Sequence, residues 1–129
     1  MNDGSTDNSL KILTEYEKAD PRIKIINKIN SGYGDSMNKG VQVANGKYIG
    51  IVESDDFVAD GVFSKLIESA EKYEAEVVKG NYFLYSQDKD PELYQNLRDI
   101  PKDELLDILS IKKLFFVAPS IWSAIYRKD

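Results

Sequence analysis

Tyr48-Ile49-Gly50-Ile51-Val52 followed by Glu53-Ser54-Asp55-Asp56 is the stretch on which the reading of this chain turns. A nearly continuous apolar run, as expected of a buried parallel strand, stops abruptly in acid. In open α/β sheets ligands sit beyond the carboxyl ends of the strands, so acids placed there are candidates for chemistry. Such close carboxylates repel one another unless a cation or hydrogen-bond donors offset them. Alternation along an extended backbone lets Glu53 and Asp55 point the same way, a reach suited to one hard divalent ion together with phosphate oxygens. The competing reading is helix capping: Asp55 or Asp56 caps the next helix, and acids near its start suit the macrodipole. On the tetrapeptide alone both readings stand.

Upstream, Leu10, Leu13 and Tyr16 recur on one helical face with Ile12 beside them, while Lys11, Glu15, Glu17 and Lys18 face out. This predicts a helix from Asn8 to about Lys18, capped from Thr6, Asp7 or Asn8 and stopped by Asp20-Pro21. Ile23-Lys24-Ile25-Ile26 reads as a short strand, and Asn30-Ser31-Gly32-Tyr33-Gly34 as a loop of turn formers. A second helix is expected over Asp35 to Ala44, with Met37, Val41 and Ala44 inward, ended by Asn45-Gly46. Downstream, Val62, Leu66, Ile67, Ala70 and Tyr73 are spaced for burial in a helix from Gly61 to Ala75, and Glu76 to Tyr85 reads as a strand. Ser86 to Pro101 is polar and reads as a surface loop. Leu105, Ile108 and Leu109 suggest one more short helix, and Ile121 to Arg127 a last strand. Helix and strand alternate, which predicts an α/β fold with a largely parallel sheet. One feature is awkward: Asp3-Gly4-Ser5 is the kind of loop that follows a strand, and the pattern shows none before it.

Composition narrows the chemistry. The chain has no His and no Cys, which excludes Ser-His-Asp and Cys-His catalysis within it, disulfides, and imidazole or thiolate metal sites. Any metal is then held by oxygen, which favours Mg, Mn or Ca. A net charge of −5 argues against a phosphate-binding face for nucleic acid. No run approaches the roughly 20 apolar residues of a membrane span. The start, Met1-Asn2-Asp3-Gly4-Ser5, is not that of a signal peptide, so a cytoplasmic setting is expected.

Two further segments carry polar groups in suggestive order. Asn2-Asp3-Gly4-Ser5-Thr6-Asp7 is a turn entering a helix; its acid and amide groups suit hydrogen bonds to a base or ribose, or simply form a capped Asp-Gly turn. Asn30 to Gly40 holds Gly32, Gly34 and Gly40, with Asn38 and Lys39 nearby. Such a loop suits close approach to a diphosphate, although it has neither P-loop nor Rossmann spacing. Trp122 and Phe115-Phe116 read as core or interface rather than as a sugar-stacking platform.

Taken together, Asn2-Asp3-Gly4-Ser5-Thr6-Asp7-Asn8-Ser9, Asp20-Pro21-Arg22-Ile23, Asn30-Ser31-Gly32, Asn38-Lys39-Gly40, Asn45-Gly46-Lys47-Tyr48-Ile49 and Glu53-Ser54-Asp55-Asp56 resemble family-two glycosyltransferases. The match is collinear to about residue 68 and resumes at Ile121-Trp122-Ser123-Ala124-Ile125-Tyr126-Arg127. The resemblance implies a GT-A-like, Rossmann-like fold with a mostly parallel sheet flanked by helices. It implies sugar transfer from a nucleotide diphosphate donor, a UDP-sugar, to a glycan or lipid-linked acceptor in cell-wall or polysaccharide biosynthesis. The donor-binding residues it implies are Asp3 (on the uracil), Gly4, Ser5, Asn38, Lys39, Glu53 and Ser54. Asp55, with Glu53 and Asp56, would hold Mg or Mn, which offsets charge on the leaving diphosphate. By the same resemblance residues 1–85 form the nucleotide-sugar-binding part and 86–129 the start of an acceptor-side part.

This sequence departs from the family pattern in places. Glu53 replaces the usual Asp of an Asp-x-Asp motif, and Met37 stands where many members carry an Arg. The family begins with a strand, a helix and a second strand ahead of Asn2, so the resemblance implies a domain truncated at both ends, with exposed strand edges that favour self-association. Its general base follows the Trp-x-x-x-Tyr-Arg segment and is expected outside this chain; Asp129 has no claim to the role. Any hold on the inner face of the membrane would come through further sequence. Two other classes are weighed beside the enzyme: a catalytically silent nucleotide-binding or interaction domain, and a nucleotidyltransferase, which calls for a basic, Gly-rich N-terminal phosphate loop that this chain lacks.

Overall fold

Residues 1–94, 97–116 and 120–128 are described in the computed structural model. Asp129 and the side chains of Phe115 and Phe116 lie outside the described residues, and the expectations placed on them stay there. The chain divides into two units, Met1–Asn45 and Gly46–Asp129.

In the first unit Asn2–Asp3 is itself a strand, β1, and it pairs in parallel with β2, Asn27–Lys28. The expectation of no strand before the Asp-Gly turn is thereby corrected: the strand lies within the motif. The expected Ile23–Ile26 strand is displaced to β2, because its amides are drawn elsewhere. Ile23 donates to the Asp20 carbonyl at 3.0 Å and Ile25 to the Glu17 carboxylate at 2.9 Å. Helix α1, Ser9–Ala19, links the two strands. The Asp7 carboxylate takes the Ser9 amide at 2.9 Å at its start, and Asp20 is extended at its end, as the residue before Pro21 must be. Leu10 and Leu13 are half-buried, but Tyr16 is exposed, so the inward stripe is narrower than the periodicity suggests. Helix α2, Tyr33–Val43, begins two residues before the expected Asp35, on Gly32 at φ 90°. Met37 and Ala44 are half-buried and Val41 is exposed. The one described residue of this unit that is fully buried is polar, Asn2.

The second unit holds the apolar core: Ala70, Ala75, Ile100, Ala124 and Ile125. Strand β3, Tyr48–Gly50, is followed by α3, Val62–Tyr73, and β4, Val77–Lys79. β3 and β4 point the same way, as a helix-linked α/β unit requires. The sheet order, however, is β3, then β7 (Ala124–Arg127), then β4, with β7 antiparallel to both. The expected mostly parallel sheet is therefore antiparallel in every described ladder of this unit: the last strand enters between the helix-linked pair. Its register also shortens β3. Gly50 pairs with Ile125, and beyond Ala124 the partner turns into a 3₁₀ helix, Ile121–Ser123, leaving Ile51 and Val52 outside the ladder.

The stretch expected as one strand from Glu76 to Tyr85 breaks at Gly80-Asn81, and β5, Tyr82–Ser86, turns back as an antiparallel hairpin with β6, Lys89–Tyr94. The expected surface loop is thus partly strand, disguised by its charges and by Pro91, which falls in the irregular part of the pairing. The helix expected around Leu105, Ile108 and Leu109 is replaced by a turn: the Asp107 carboxylate takes the Leu109 amide at 3.0 Å, a local bond that competes with helix. A 3₁₀ helix at Lys112–Phe116 follows. Trp122 packs edge-on against Tyr82, which stacks on Tyr94, so its reading as a packed aromatic holds.

Candidate functional site

Each unit carries one group of candidate residues. In the first, the parallel register sets Asp3 of β1 beside Lys28 of β2. The Lys28 ammonium donates to the Asp3 carboxylate, to the Ser31 hydroxyl at 2.6 Å and to Asp35 at 3.0 Å. Only 8% of the Lys28 side chain is exposed. The Asp3 carboxylate also accepts the backbone N–H of Ser31 at 2.9 Å and of Gly32 at 3.1 Å. Asp35 in the first turn of α2 binds Lys39 at 2.8 Å. Two acids and two bases are thereby linked from β1 through β2 to α2.

The charges respond accordingly. The Lys28 ammonium first, then the Ser31 amide, hold the Asp3 carboxyl below its ordinary value. Lys39, Ser31 and Lys28 together hold Asp35 well below the usual carboxylate range. For Lys28, burial works against the charged form, yet the two carboxylates outweigh it and the ammonium is raised.

Of the donor residues expected here, Asp3 and Lys39 are thus brought into one network, with Lys39 engaged by Asp35. Gly4 and Ser5 line an open cleft of about 580 Å³ with Asn2, Leu10, Asn27 and Asn30. Gly4 is at φ +76°, and a Cβ there would meet the Asn30 backbone nitrogen at 2.7 Å, so the turn and the Asn-Ser-Gly loop touch backbone to backbone. Asn2 serves the fold: its amide donates to Asn27 at 2.8 Å and its side-chain oxygen accepts the Ser5 N–H. Asn38 is exposed on α2. Sequence reasoning missed Lys28, Ser31 and Asp35. The signal was available: pairing Asn2-Asp3 with Asn27-Lys28 puts a cation beside the acid.

In the second unit Glu53, Ser54, Asp55 and Asp56 form a turn beyond β3, in which the Asp56 amide donates to the Glu53 carbonyl at 3.2 Å. Glu53 is half-buried, and Ser54, Asp55 and Asp56 are exposed. Neither Asp55 nor Asp56 caps the next helix: α3 starts on Gly61, in the left-handed conformation, with no side-chain cap. The capping reading therefore fails for both. Among the described residues, no three acidic side chains converge as a ready-made cation cage. The oxygen donors nevertheless fit Mg or Mn bound through one or two carboxylates and completed by substrate phosphates, which is how Mg is commonly held.

The chain matches the model of glycosyl transferase family 2 over residues 1–128. It belongs to that family. It is similar to the uncharacterized glycosyltransferase EpsJ of Bacillus subtilis, at 32% identity over 133 aligned positions covering all of this chain and 38% of the relative. The putative glycosyltransferase EpsH of the same organism is 33% identical over all of this chain and 38% of its own length. A chondroitin synthase of Escherichia coli is 45% identical over 56 residues, which is 43% of this chain and 8% of the relative. This family-2 chain thus spans well under half the length of the curated relatives it matches along its whole length. The α/β class and the recognition carried by the six motifs agree with this membership.

Proposed function

We propose that this chain supplies the donor- and metal-binding part of an enzyme that transfers a sugar from a UDP-sugar to a glycan or lipid-linked acceptor, as in polysaccharide biosynthesis. The observation that supports it most is the acid turn beyond β3, whose Asp55 and Asp56 are not used to cap α3. On this reading Asp55 is the principal carboxylate for Mg or Mn, with Glu53 and Asp56 beside it and Ser54 toward the donor. A divalent ion held there offsets charge on the leaving diphosphate. Asp3 accepts from the base, Gly4 and Ser5 shape the cleft wall, and Asn38 and Lys39 bind the donor, Lys39 once it exchanges Asp35 for it. The proposed setting is the cytoplasm.

Titration of the purified chain with UDP, with and without Mn, tests this directly. The expected result is metal-dependent binding that Asp55→Ala abolishes; equal binding by the variant would sink the metal assignment. A second reading, a silent nucleotide-binding or interaction domain, draws support from Asp3, whose oxygens already accept from Lys28, Ser31 and Gly32. Metal-dependent binding without UDP release from a UDP-sugar, even in the presence of acceptor glycan, would favour it.

A further inference from the structure

Lys28 is the residue around which the first unit's polar network closes. An ammonium has three N–H groups, and those of Lys28 have Asp3, Ser31 and Asp35 as partners. The Asp3 oxygen that accepts from Lys28 also accepts the Ser31 amide, which uses both of its lone pairs. The other oxygen takes the Gly32 amide at 3.1 Å. We infer that Lys28 is a positioning residue for Asp3: it engages one carboxylate oxygen, bridges to Asp35 on α2, and so fixes the other oxygen as the acceptor offered to a ligand N–H. This rests on the donor-site reading of Asp3.

The inference follows from what removal of the ammonium would leave. Asp3 and Asp35 contact the same nitrogen, so without it two carboxylates stand close together and repel. The groups that face Asp3 are Lys28 from β2, Ser31 and Gly32 from the loop, and Ser36 from α2; Asp35 and Lys39 lie one contact further. Among the described residues Lys28 is the sole cation in direct contact, and its loss raises the Asp3 carboxyl toward its ordinary value. A carboxylate left on the Ser31 and Gly32 amides alone and pushed by Asp35 presents its acceptor less often, and the base contact weakens while contacts to phosphate do not.

The test uses the whole chain with Lys28→Met, which keeps the stem and removes the charge, and Lys28→Arg, which restores charge. Two quantities are read: the Asp3 carboxyl titration by carbon NMR, and the affinities for UDP and ADP in the presence of Mn. In Lys28→Met the Asp3 carboxyl should titrate at higher pH than in wild type, and the UDP-over-ADP preference should fall about tenfold, the scale of one charge-assisted hydrogen bond. Lys28→Arg should recover most of both. An unchanged Asp3 titration in Lys28→Met overturns the inference, and so does a parallel fall of UDP and ADP, which marks a general loosening of the fold. If wild type does not distinguish UDP from ADP, or Asp3→Ala binds UDP as wild type does, the donor-site reading fails separately, and the Asp3 titration still decides the role of Lys28.

Discussion

Replacing Gly4 with Ala should break the first unit more severely than any other single methyl added to it. The residue sits at φ +76°, and its new Cβ would lie 2.7 Å from the Asn30 backbone nitrogen and 3.1 Å from the Asn30 Cβ. That is about 0.7 Å inside the 3.4 Å edge of ordinary contact, against backbone that cannot swing aside. A left-handed non-glycine residue costs about 1–2 kcal/mol, and forced overpacking about 1–3 kcal/mol more. A loss of about 2–5 kcal/mol is large for a unit with no buried apolar side chain among its described residues. Urea unfolding followed residue by residue by NMR reads it: with a slope of about 1–2 kcal/mol/M, the midpoint of α1 and α2 should fall by about 1 M or more. Two controls bracket the effect. Gly32→Ala, at φ +90° with open space, carries only the conformational cost, and Gly34→Ala, unstrained and open on α2, should be neutral or stabilising by up to about 1 kcal/mol. A Gly4→Ala midpoint indistinguishable from wild type, or a larger loss in Gly32→Ala, would refute the backbone-contact argument. Because Asn30 precedes the Ser31 and Gly32 amides that hold Asp3, the same variant should also lose UDP affinity.

Gly50→Ala in β3 meets the Phe63 ring of α3 at 2.5 Å, so it should cost about 1–3 kcal/mol by chemical denaturation, recovered in part when Phe63→Leu makes room. Stability should fall in acid in a defined window. Asp3 and Asp35 have folded values below the ordinary 3.8, so their contribution is complete above the unfolded value and is lost as pH drops through the lower folded ones. Melting of the first unit should therefore be level from neutral pH to about 5 and decline below about 4. Asp35→Asn should flatten that decline, and an unaltered acid limb would show that the pairs do not contribute.

What could be read from the sequence, and what could not, divides along physical lines. Helices α1, α2 and α3 were legible because periodic apolar residues and their stops are local signals: Leu10 and Leu13, Asp20-Pro21, Asn45-Gly46. Strand partners are not local. Nothing near Tyr48 says that its neighbour is Arg127, and nothing near Val77 says that Tyr126 faces it. The β5–β6 hairpin was hidden because its second strand is exposed along its length, so Lys89 to Tyr94 carries no burial pattern. The candidate site was legible as motifs but not as a network. Asp3 and the Glu53–Asp56 turn were visible, whereas Lys28 acquires its role only through a register spanning 25 residues.

The two candidate groups differ in a way that predicts the sign of a metal effect. Asp3 is neutralised from within: Lys28 and two backbone amides already balance its charge, so a ligand N–H meets an ordered acceptor. Among the described residues, no Lys or Arg is paired with Asp55 or Asp56, and both carboxylates are exposed. A diphosphate approaching that turn without a cation meets like charge. On the proposed function, Asp55→Ala should then act in opposite directions. Without divalent metal, removing the carboxylate relieves repulsion, and UDP should bind as well as or slightly better than to wild type. With Mn, the same change removes a ligand to the ion, and UDP should bind at least about tenfold more weakly, the scale of one lost charged contact. Calorimetric titrations of both proteins, with Mn and with a chelator, give the four affinities needed. A loss of the same size in both conditions would mean that Asp55 serves the fold or contacts the nucleotide directly. A reversal of sign between them would tie the acid turn to a cation that none of the described side chains supplies.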